Sequence, residues 1–386
     1  MQQENQTYDI VIAGAGAAGL LLAYEISCRK GLSEKSVLLL DPVKKETNDR
    51  TWCFWTNLKT PFDALLAKSW EQLEFVSNTF EHTFSLSPYK YNMLRSEDFY
   101  AFVWEKLSRH KNIIFEQATV KSIEQEKRFA AVATDKGIFY ASKVFDSRLI
   151  QGDFKDIDRG YNLILQHFKG YLIETEKPFF EVEKLRMFDF RIPQKNEVRF
   201  VYVLPLTATK ALVEFTVFSP DLLQNDAYDE ALQSYIKNTL QLQQYKVIEE
   251  EKGVIPMTDY PFKRKVSHQI FKIGTQGGKC KPSTGYAFFN MWKDAQSIAQ
   301  QLEENKPLDL LQSEKKFQLY DAMLLDIMKR DGGSISQIFT DMFQKNSIQQ
   351  IFKFLNEETT FAEDLKIMWS VPSLPFFKSM YNLAKK

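Results

Sequence analysis

The alternation of apolar and polar positions divides the 386-residue chain into three kinds of territory. Near the start, the apolar run Ile10 to Ala13 reads as a buried parallel strand, since such strands are covered on both faces and need no polar alternation. It ends in Gly14-Ala-Gly16-Ala-Ala-Gly19, and Leu20 to Ile26 follows as a helix. Val37 to Leu40 gives the next strand. Residues 88–110 predict a helix with Phe99, Phe102, Val103 and Leu107 on one face. Short strands follow at 113–115, 118–123, 129–134 and 137–140, and Val144 to Ser147 reads as a strand returning to the first sheet. Residues 158–260 are rich in aromatic and β-branched residues, as in an antiparallel sheet. Ile270 to Gly274 reads as one more buried strand, a glycine-rich loop leads into a helix over 285–303, and the remainder has helical spacing.

The predicted fold is α/β, or α+β overall. A Rossmann-like domain takes residues 1–75, 88–157 and 265–305. An antiparallel β-sheet domain is inserted over 158–264, and a C-terminal helical region covers 306–386. No internal repeat is present.

The glycine run sits between a strand and a helix. There the first glycine allows the tight turn, the second lets a pyrophosphate approach the backbone, and the third lets helix and strand pack closely. Free N–H groups at the helix start complement phosphate charge. Asp41 ends the second strand 22 residues after Gly19, where an acid accepts hydrogen bonds from ribose hydroxyls. The chain thus predicts a flavin- or nicotinamide-type nucleotide site at Gly14, Gly16, Gly19 and Asp41.

Composition removes several alternatives. Fifty basic residues balance fifty acidic ones, so no surface for nucleic acid is expected. Three cysteines and four histidines have no ligand spacing, which argues against a metal site or disulfide framework and for a reducing compartment. The polar start lacks an export signal, and no apolar run approaches the roughly 18 residues that span a bilayer. The expectation is a soluble or peripheral protein. Thirty-two phenylalanines fit either a bulky core or an aromatic-lined pocket.

After Asp41 comes the run Asp49-Arg-Thr-Trp52-Cys-Phe54-Trp55. Further pieces follow in order: VFDSR (144–148), QHFKGYLIET (166–175), MFDFR (187–191), FVYVLPLTATKALVEFT (200–216), GVIP (253–256), PSTGY (282–286) and FLNEETTF (354–361). Together they resemble the flavin-dependent lycopene cyclases, and the bacterial β-cyclases in particular, over nearly the whole chain. The resemblance implies acid–base cyclisation of the ψ-ends of lycopene to β-ionone rings, giving β-carotene by way of γ-carotene. It implies FAD, acting in its reduced form to stabilise a carbocation, with NADPH as reductant and no net redox change. The substrates would be acyclic or monocyclic carotenes drawn from a membrane surface. The location implied is cytoplasmic, peripherally on the inner face of the cell membrane.

Protonating an unactivated alkene needs a carboxylic acid that burial keeps protonated. Glu214, within the apolar strand Ala211 to Thr216, is the candidate, and strand alternation puts it on one face with Leu212 and Thr216. Many family members carry two consecutive acids here, whereas this chain has Phe215 after Glu214, so a second carboxylate at that position is lost. The resemblance further implies that Asp189 tunes or shares the proton, although beside Arg191 it also reads as an ion pair. Glu357 and Glu358 read either as pocket residues or as a helix-surface pair. Trp52, Phe54, Trp55 and Phe215 would line the substrate pocket, the tryptophans offering cation–π contact. The loop bearing Gly274, Pro282, Ser283, Thr284 and Gly285 would approach the flavin, and Arg95 would reach the cofactor from the predicted helix. The tail from Val371 would dock on lipid. The alternatives are an FAD-dependent monooxygenase, an isoprenoid reductase sharing this layout, or a carotenoid-binding protein without activity.

Overall fold

The computed structural model describes residues 6–149 and 160–385. Its first part runs β1 (Thr7–Ala13), α1 (Ala17–Ser27), β2 (Val37–Asp41), β3 (Thr51–Thr56), β4 (Leu66–Trp70), β5 (Gln72–Val76), β6 (Glu81–Ser85), β7 (Lys90–Arg95), α2 (Ser96–Ser108), β8 (Ile113–Gln117), β9 (Val120–Gln125), β10 (Ala130–Thr134) and β11 (Gly137–Asp146). The second part holds β12 (Leu163–Glu174), β13 (Lys184–Asp189), β14 (Val198–Pro205), β15 (Lys210–Ser219), α3 (Asn225–Ser234) and β16 (Lys246–Thr258). The chain then gives β17 (Ile270–Lys272), α4 (Phe288–Glu303), α5 (Lys315–Asp331), α6 (Ile335–Lys345), α7 (Ile348–Leu355), α8 (Phe361–Ser370) and α9 (Ser373–Leu383).

The first sheet has the order β8-β2-β1-β11-β10-β9, with β17 on the C-terminal half of β11. Its central strands β8, β2, β1 and β11 are parallel, and Val11, Ile12 and Ala13 are fully buried, which is why the sequence there is continuously apolar. Helices α1, α2 and α4 cover one face with a core that includes Leu20, Phe99, Phe145, Phe288 and Ile298.

The second sheet has the order β16-β12-β15-β14-β13-β5-β6 and is antiparallel except for the β13–β5 pair. Its strands alternate between two cores. Leu204, Leu212 and Phe218 face the C-terminal helices, whereas Val203, Val213 and Phe215 face α3. Helix α6 presents Ile335, Ile338, Phe339, Met342 and Phe343 to this sheet at spacings of three and four. Helix α8 starts with a capping box between Thr360 and Glu363.

Four expectations need correction. Residues 90–95 are not helical; they form β7, the middle strand of a three-stranded sheet between β3 and β4. Tyr91 and Met93 go to one core and Leu94 to another, a period of two that wins over the helical reading. The helix starts at Ser96, with Glu97 and Asp98 in its first turn. Gly253 to Pro256, which the family resemblance assigns to a flavin-side loop, is part of β16, paired along β12. Residues 72–85 join the second sheet, although the sequence pattern put residues up to 75 with the first. Finally, the stretch read as strand-rich also contains a helix, α3.

Candidate active site

The nucleotide turn has the form its sequence implies. Gly14 has φ +99° and its N–H donates to the Leu40 carbonyl at 2.7 Å. A Cβ on Gly19 would lie 1.9 Å from the Gly14 oxygen, so only glycine lets α1 pack this close. Around Gly16 a Cβ would meet nothing within 4 Å, leaving a cradle open in front of the α1 N-terminus. Asp41 accepts hydrogen bonds from the Ala15 N–H at 2.7 Å and the Val43 N–H at 2.9 Å. The loop at Gly274 sits against Ala18 of α1, and the amide of buried Gln276 in that loop has no hydrogen-bond partner. An open cradle, a helix N-terminus and an unpartnered buried amide suit a dinucleotide.

The acid lies in the second sheet. Register places Tyr202 of β14, Glu214 of β15, Gly170 of β12 and Glu251 of β16 in one row across four strands. Glu214 points to the face shared with Leu212 and Phe218, as strand alternation predicts. Its Oε1 accepts a hydrogen bond from the Thr216 hydroxyl at 2.8 Å. Burial drives the Glu214 carboxyl well above the usual carboxylate range; the charge of Glu251 and a hydrogen bond with it add to this, and Thr216 opposes it. Glu251 in turn accepts from the Thr51 hydroxyl at 2.7 Å.

Three tyrosines stand beside the acid. The Tyr286 hydroxyl lies 2.8 Å from that of Tyr91 and 3.5 Å from that of Tyr202. Burial and mutual repulsion raise Tyr91 and Tyr202 well above the ordinary phenol range, so all three act as neutral dipoles. Tyr202 and Tyr286 also line a cavity of about 380 Å³ between the second sheet and the C-terminal helices. Its other walls are mostly apolar and include Phe188, Phe218, Phe339, Met342 and Phe376. Its polar groups include Lys281, Ser283 and Thr284 from the loop after β17 and Tyr320 and Asp321 from α5. Lys281 donates to Asp321 at 3.1 Å and to Glu357 at 2.8 Å, and the Ser283 hydroxyl donates to Asp321 at 2.6 Å.

The structure separates the predicted site residues into two groups. Trp55 belongs with the acid and the tyrosines: its ring meets Tyr286 edge-on at 4.5 Å and stacks on Phe352 at 4.7 Å, and its buried indole N–H has no partner. Thr284 lines the cavity, also with an unpartnered buried hydroxyl. Pro282 is half-buried, and Gly285, with φ +75°, lies directly over the Gln166 amide.

The other residues are elsewhere. Trp52 stacks on Phe288 at 5.0 Å, and Phe54 stacks on Phe288 and Phe289, so both pack β3 against α4. Phe215 faces α3, on the side of β15 opposite Glu214, because the strand period is two. Asp189 is fully buried and takes charged hydrogen bonds from Arg191 at 2.7 Å and Arg186 at 3.1 Å, with the Tyr235 hydroxyl at 2.7 Å. Burial alone would raise it, yet these partners hold its carboxyl below the usual range, so it carries no proton to share. Arg95 ends β7 rather than lying within a helix, and it pairs with Glu249 at 2.8 Å and Glu97 at 3.1 Å. Glu357 and Glu358 lie beyond α7; the first holds Lys281 and the second the half-buried Lys293.

Sequence reasoning missed Glu251, Gly170, Tyr91, Tyr202 and the Lys281–Asp321 pair. Glu251 closes the run Glu249-Glu250-Glu251, which reads as a solvated edge until strand pairing brings β16 beside β12. Tyr286, by contrast, sits in the PSTGY motif and was within reach.

A glycine turn on a parallel sheet, with an antiparallel sheet inserted before its last strand, defines a Rossmann-type flavoprotein fold. A flavoprotein/dehydrogenase from Cytophaga hutchinsonii shares it, with a TM-score of 0.59 at 12% identity, over 99% of this chain and 100% of that one. Within this class the chain belongs to the lycopene cyclase protein family, whose sequence model matches residues 9–381. The chain is 25% identical over 304 residues to a chloroplastic neoxanthin synthase of Solanum lycopersicum, covering 72% of this chain and 57% of that protein. It is 23% identical over 290 residues to a lycopene beta-cyclase of Pseudescherichia vulneris, covering 72% and 70%. The chain thus spans little more than half the length of the plant relative.

The two carboxylates predict opposite stability effects. Because folding raises the Glu214 carboxyl, its contribution is present below about pH 4.5 and is lost as pH rises through the folded value. Glu214→Gln should therefore melt higher than the parent at pH 7, and the gap should close toward pH 4. Asp189 is the reverse, stabilising above its unfolded range. Asp189→Ala removes the buried acceptor shared by Arg186, Arg191 and Tyr235 while Arg186 keeps Glu74 at 2.6 Å, and it should lower unfolding free energy by about 1–3 kcal/mol at pH 7, as read by denaturant titration.

Proposed function

We propose that this chain is a lycopene cyclase that forms β-ionone rings from the ψ-ends of acyclic or monocyclic carotenes. The observation that carries this reading is Glu214, whose carboxyl burial pushes well above the usual carboxylate range, in one strand row with Tyr202 and at the position the family resemblance assigns to the catalytic acid. Its proton goes to the terminal double bond of the polyene. The nearby double bond attacks the resulting tertiary cation, a carbon–carbon bond closes the ring, and an adjacent ring proton leaves for the carboxylate. Substrate and product are isomers, and the acid ends as it began.

The chain's own groups favour the cationic stage. Trp55 and Tyr286 offer aromatic faces, and a desolvated cation–π contact is worth about 2 kcal/mol. The Glu214 carboxylate left after proton transfer adds a negative charge in a medium with little water to screen it. The apolar cavity keeps water from quenching the cation.

The turn at Gly14, Gly16 and Gly19, the Asp41 carboxylate and the Gln276 loop would hold FAD. Bound and reduced, with NADPH as the reductant, the flavin supplies an anionic ring for electrostatic stabilisation without net electron transfer.

The same reading includes contact with a lipid surface. Among the described residues no helix is long and apolar enough to cross a membrane. Yet Trp369, Leu374, Phe377 and Tyr381 are all more than 60% exposed on α8 and α9. Trp369, Phe377 and Met380 also line the cavity, so one apolar surface runs from its interior to the exterior. Lys378 and Lys385 sit among these residues and suit anionic headgroups. Peripheral attachment to the cytoplasmic face of the membrane follows from this reading.

The function is tested with purified protein, FAD and all-trans lycopene in liposomes, kept anaerobic, with and without NADPH. The expected result is a product of unchanged mass that absorbs at shorter wavelength, with at least about 100-fold loss in Glu214→Gln. Stoichiometric NADPH consumption with a product of altered mass would move the chain to the reductases or monooxygenases. For the lipid contact, Trp369→Ser/Phe377→Ser should cut co-sedimentation with anionic liposomes several-fold. Equal sedimentation would remove α8 and α9 from the account.

A further inference from the structure

We propose that Glu251 is the positioning partner of the catalytic acid, so that the proton donor is a carboxyl–carboxylate pair bridged across Gly170 rather than Glu214 alone. This rests on the cyclase reading of the same site and assigns a residue to it.

Strand parity decides which acid can partner Glu214. The residue after Glu214 is Phe215, on the opposite face of β15 and against α3, so an acid placed there would not meet Glu214. The carboxylate that does meet it comes from two strands away. Gly170 pairs with Glu214 on one side and Glu251 on the other. With no side chain on the intervening strand, the two glutamates reach each other over its backbone. A Cβ there would lie 3.0 Å from Glu251 Cγ and 3.1 Å from Leu212 Cδ1, so the passage is fitted to the glutamate. Thr51, the first residue of β3, anchors the far oxygen of Glu251 at 2.7 Å.

The charges around the pair leave it as one donor with one acceptor. On the Glu214 side are Cys53, Tyr202 and Tyr286, none of which carries positive charge. On its outer side Arg95 lines the same cleft but is bound to Glu249 and Glu97. Lys169 and Lys252, its neighbours across and along the strand, bond to Asp229 and Asn225 toward α3. Among the described residues no cation is ion-paired with either carboxyl group, and the proposed pair shares one proton. Transfer of that proton to the alkene leaves two adjacent carboxylates, whose repulsion is relieved when the ring proton returns. Glu251 thus sets the acid's orientation and favours reprotonation, while Glu214 touches the substrate.

The test is infrared titration of the protein's protonated-carboxyl stretch, which needs neither turnover nor cofactor. The parent should show this band at pH 7, and Glu214→Gln should remove it. In Glu251→Gln the band should persist but titrate away about one pH unit or more below the parent. The alkaline limb of cyclisation should move by the same amount, with KM little changed. Glu251→Asp, with its charge set one methylene back, should fall between, and it carries the test if the glutamine variant does not fold. Titration of Glu251→Gln or Glu251→Asp at the parent's pH would overturn the pair while leaving Glu214 as a solitary acid. A band that survives Glu214→Gln would instead overturn the protonated acid on which the cyclase reading depends.

Discussion

The second sheet and the helices packed on it withdraw one carboxyl group, that of Glu214, from most of its contact with water. Glu214 sits in the middle of a seven-stranded sheet, on the face covered by helices α5 to α8. Burial raises its carboxyl well above the usual range, Glu251 adds to this, and the hydrogen bond from Thr216 opposes it without offsetting it. The inserted sheet, the C-terminal helices and the aromatic cavity are the apparatus of that desolvation. An acid of this kind has little use in a hydride-transfer site, but it is what protonation of a hydrocarbon requires.

The first half does separate work with conventional parts. Its parallel sheet and glycine turn present a helix N-terminus and an open cradle at Gly16. The two halves join where β3 and β7 pass between the cores, carrying Trp52 and Phe54 into the nucleotide domain's packing and Trp55 into the acid's. Alternation along one short strand is therefore the mechanical link between cofactor domain and substrate chamber. The loop after β17 is the second link, touching α1 at Gly274 and the cavity at Lys281, Thr284 and Tyr286.

Much of this was legible in the chain itself. The continuous apolar runs of β1 and β2 and the three glycines announce the nucleotide turn, because each glycine meets a separate steric demand. The face of Glu214 follows from strand period alone. What could not be read was register. Glu251 looks like part of a solvated acidic edge until pairing with β12 sets it opposite Gly170. Phe215 and Asp189 were assigned to the site from the resemblance, yet a one-residue step in a strand turns Phe215 to the other core, and Asp189 is held by two arginines, the ion pair that its neighbour Arg191 already suggested. The mistaken helix over 90–95 has a similar origin: its pattern satisfies both periods over a few residues, and packing between β3 and β4 decides.

The central claim is that an internal carboxyl proton is given to a polyene and another proton is taken back. Running the reduced-flavin reaction with lycopene in deuterium oxide tests it directly, because the buried acid exchanges with solvent before turnover. The account predicts one deuterium incorporated per ring formed, with no added oxygen and no net gain of hydrogen. A cyclic product without deuterium, or a product that gains oxygen or a hydrogen pair, would contradict it.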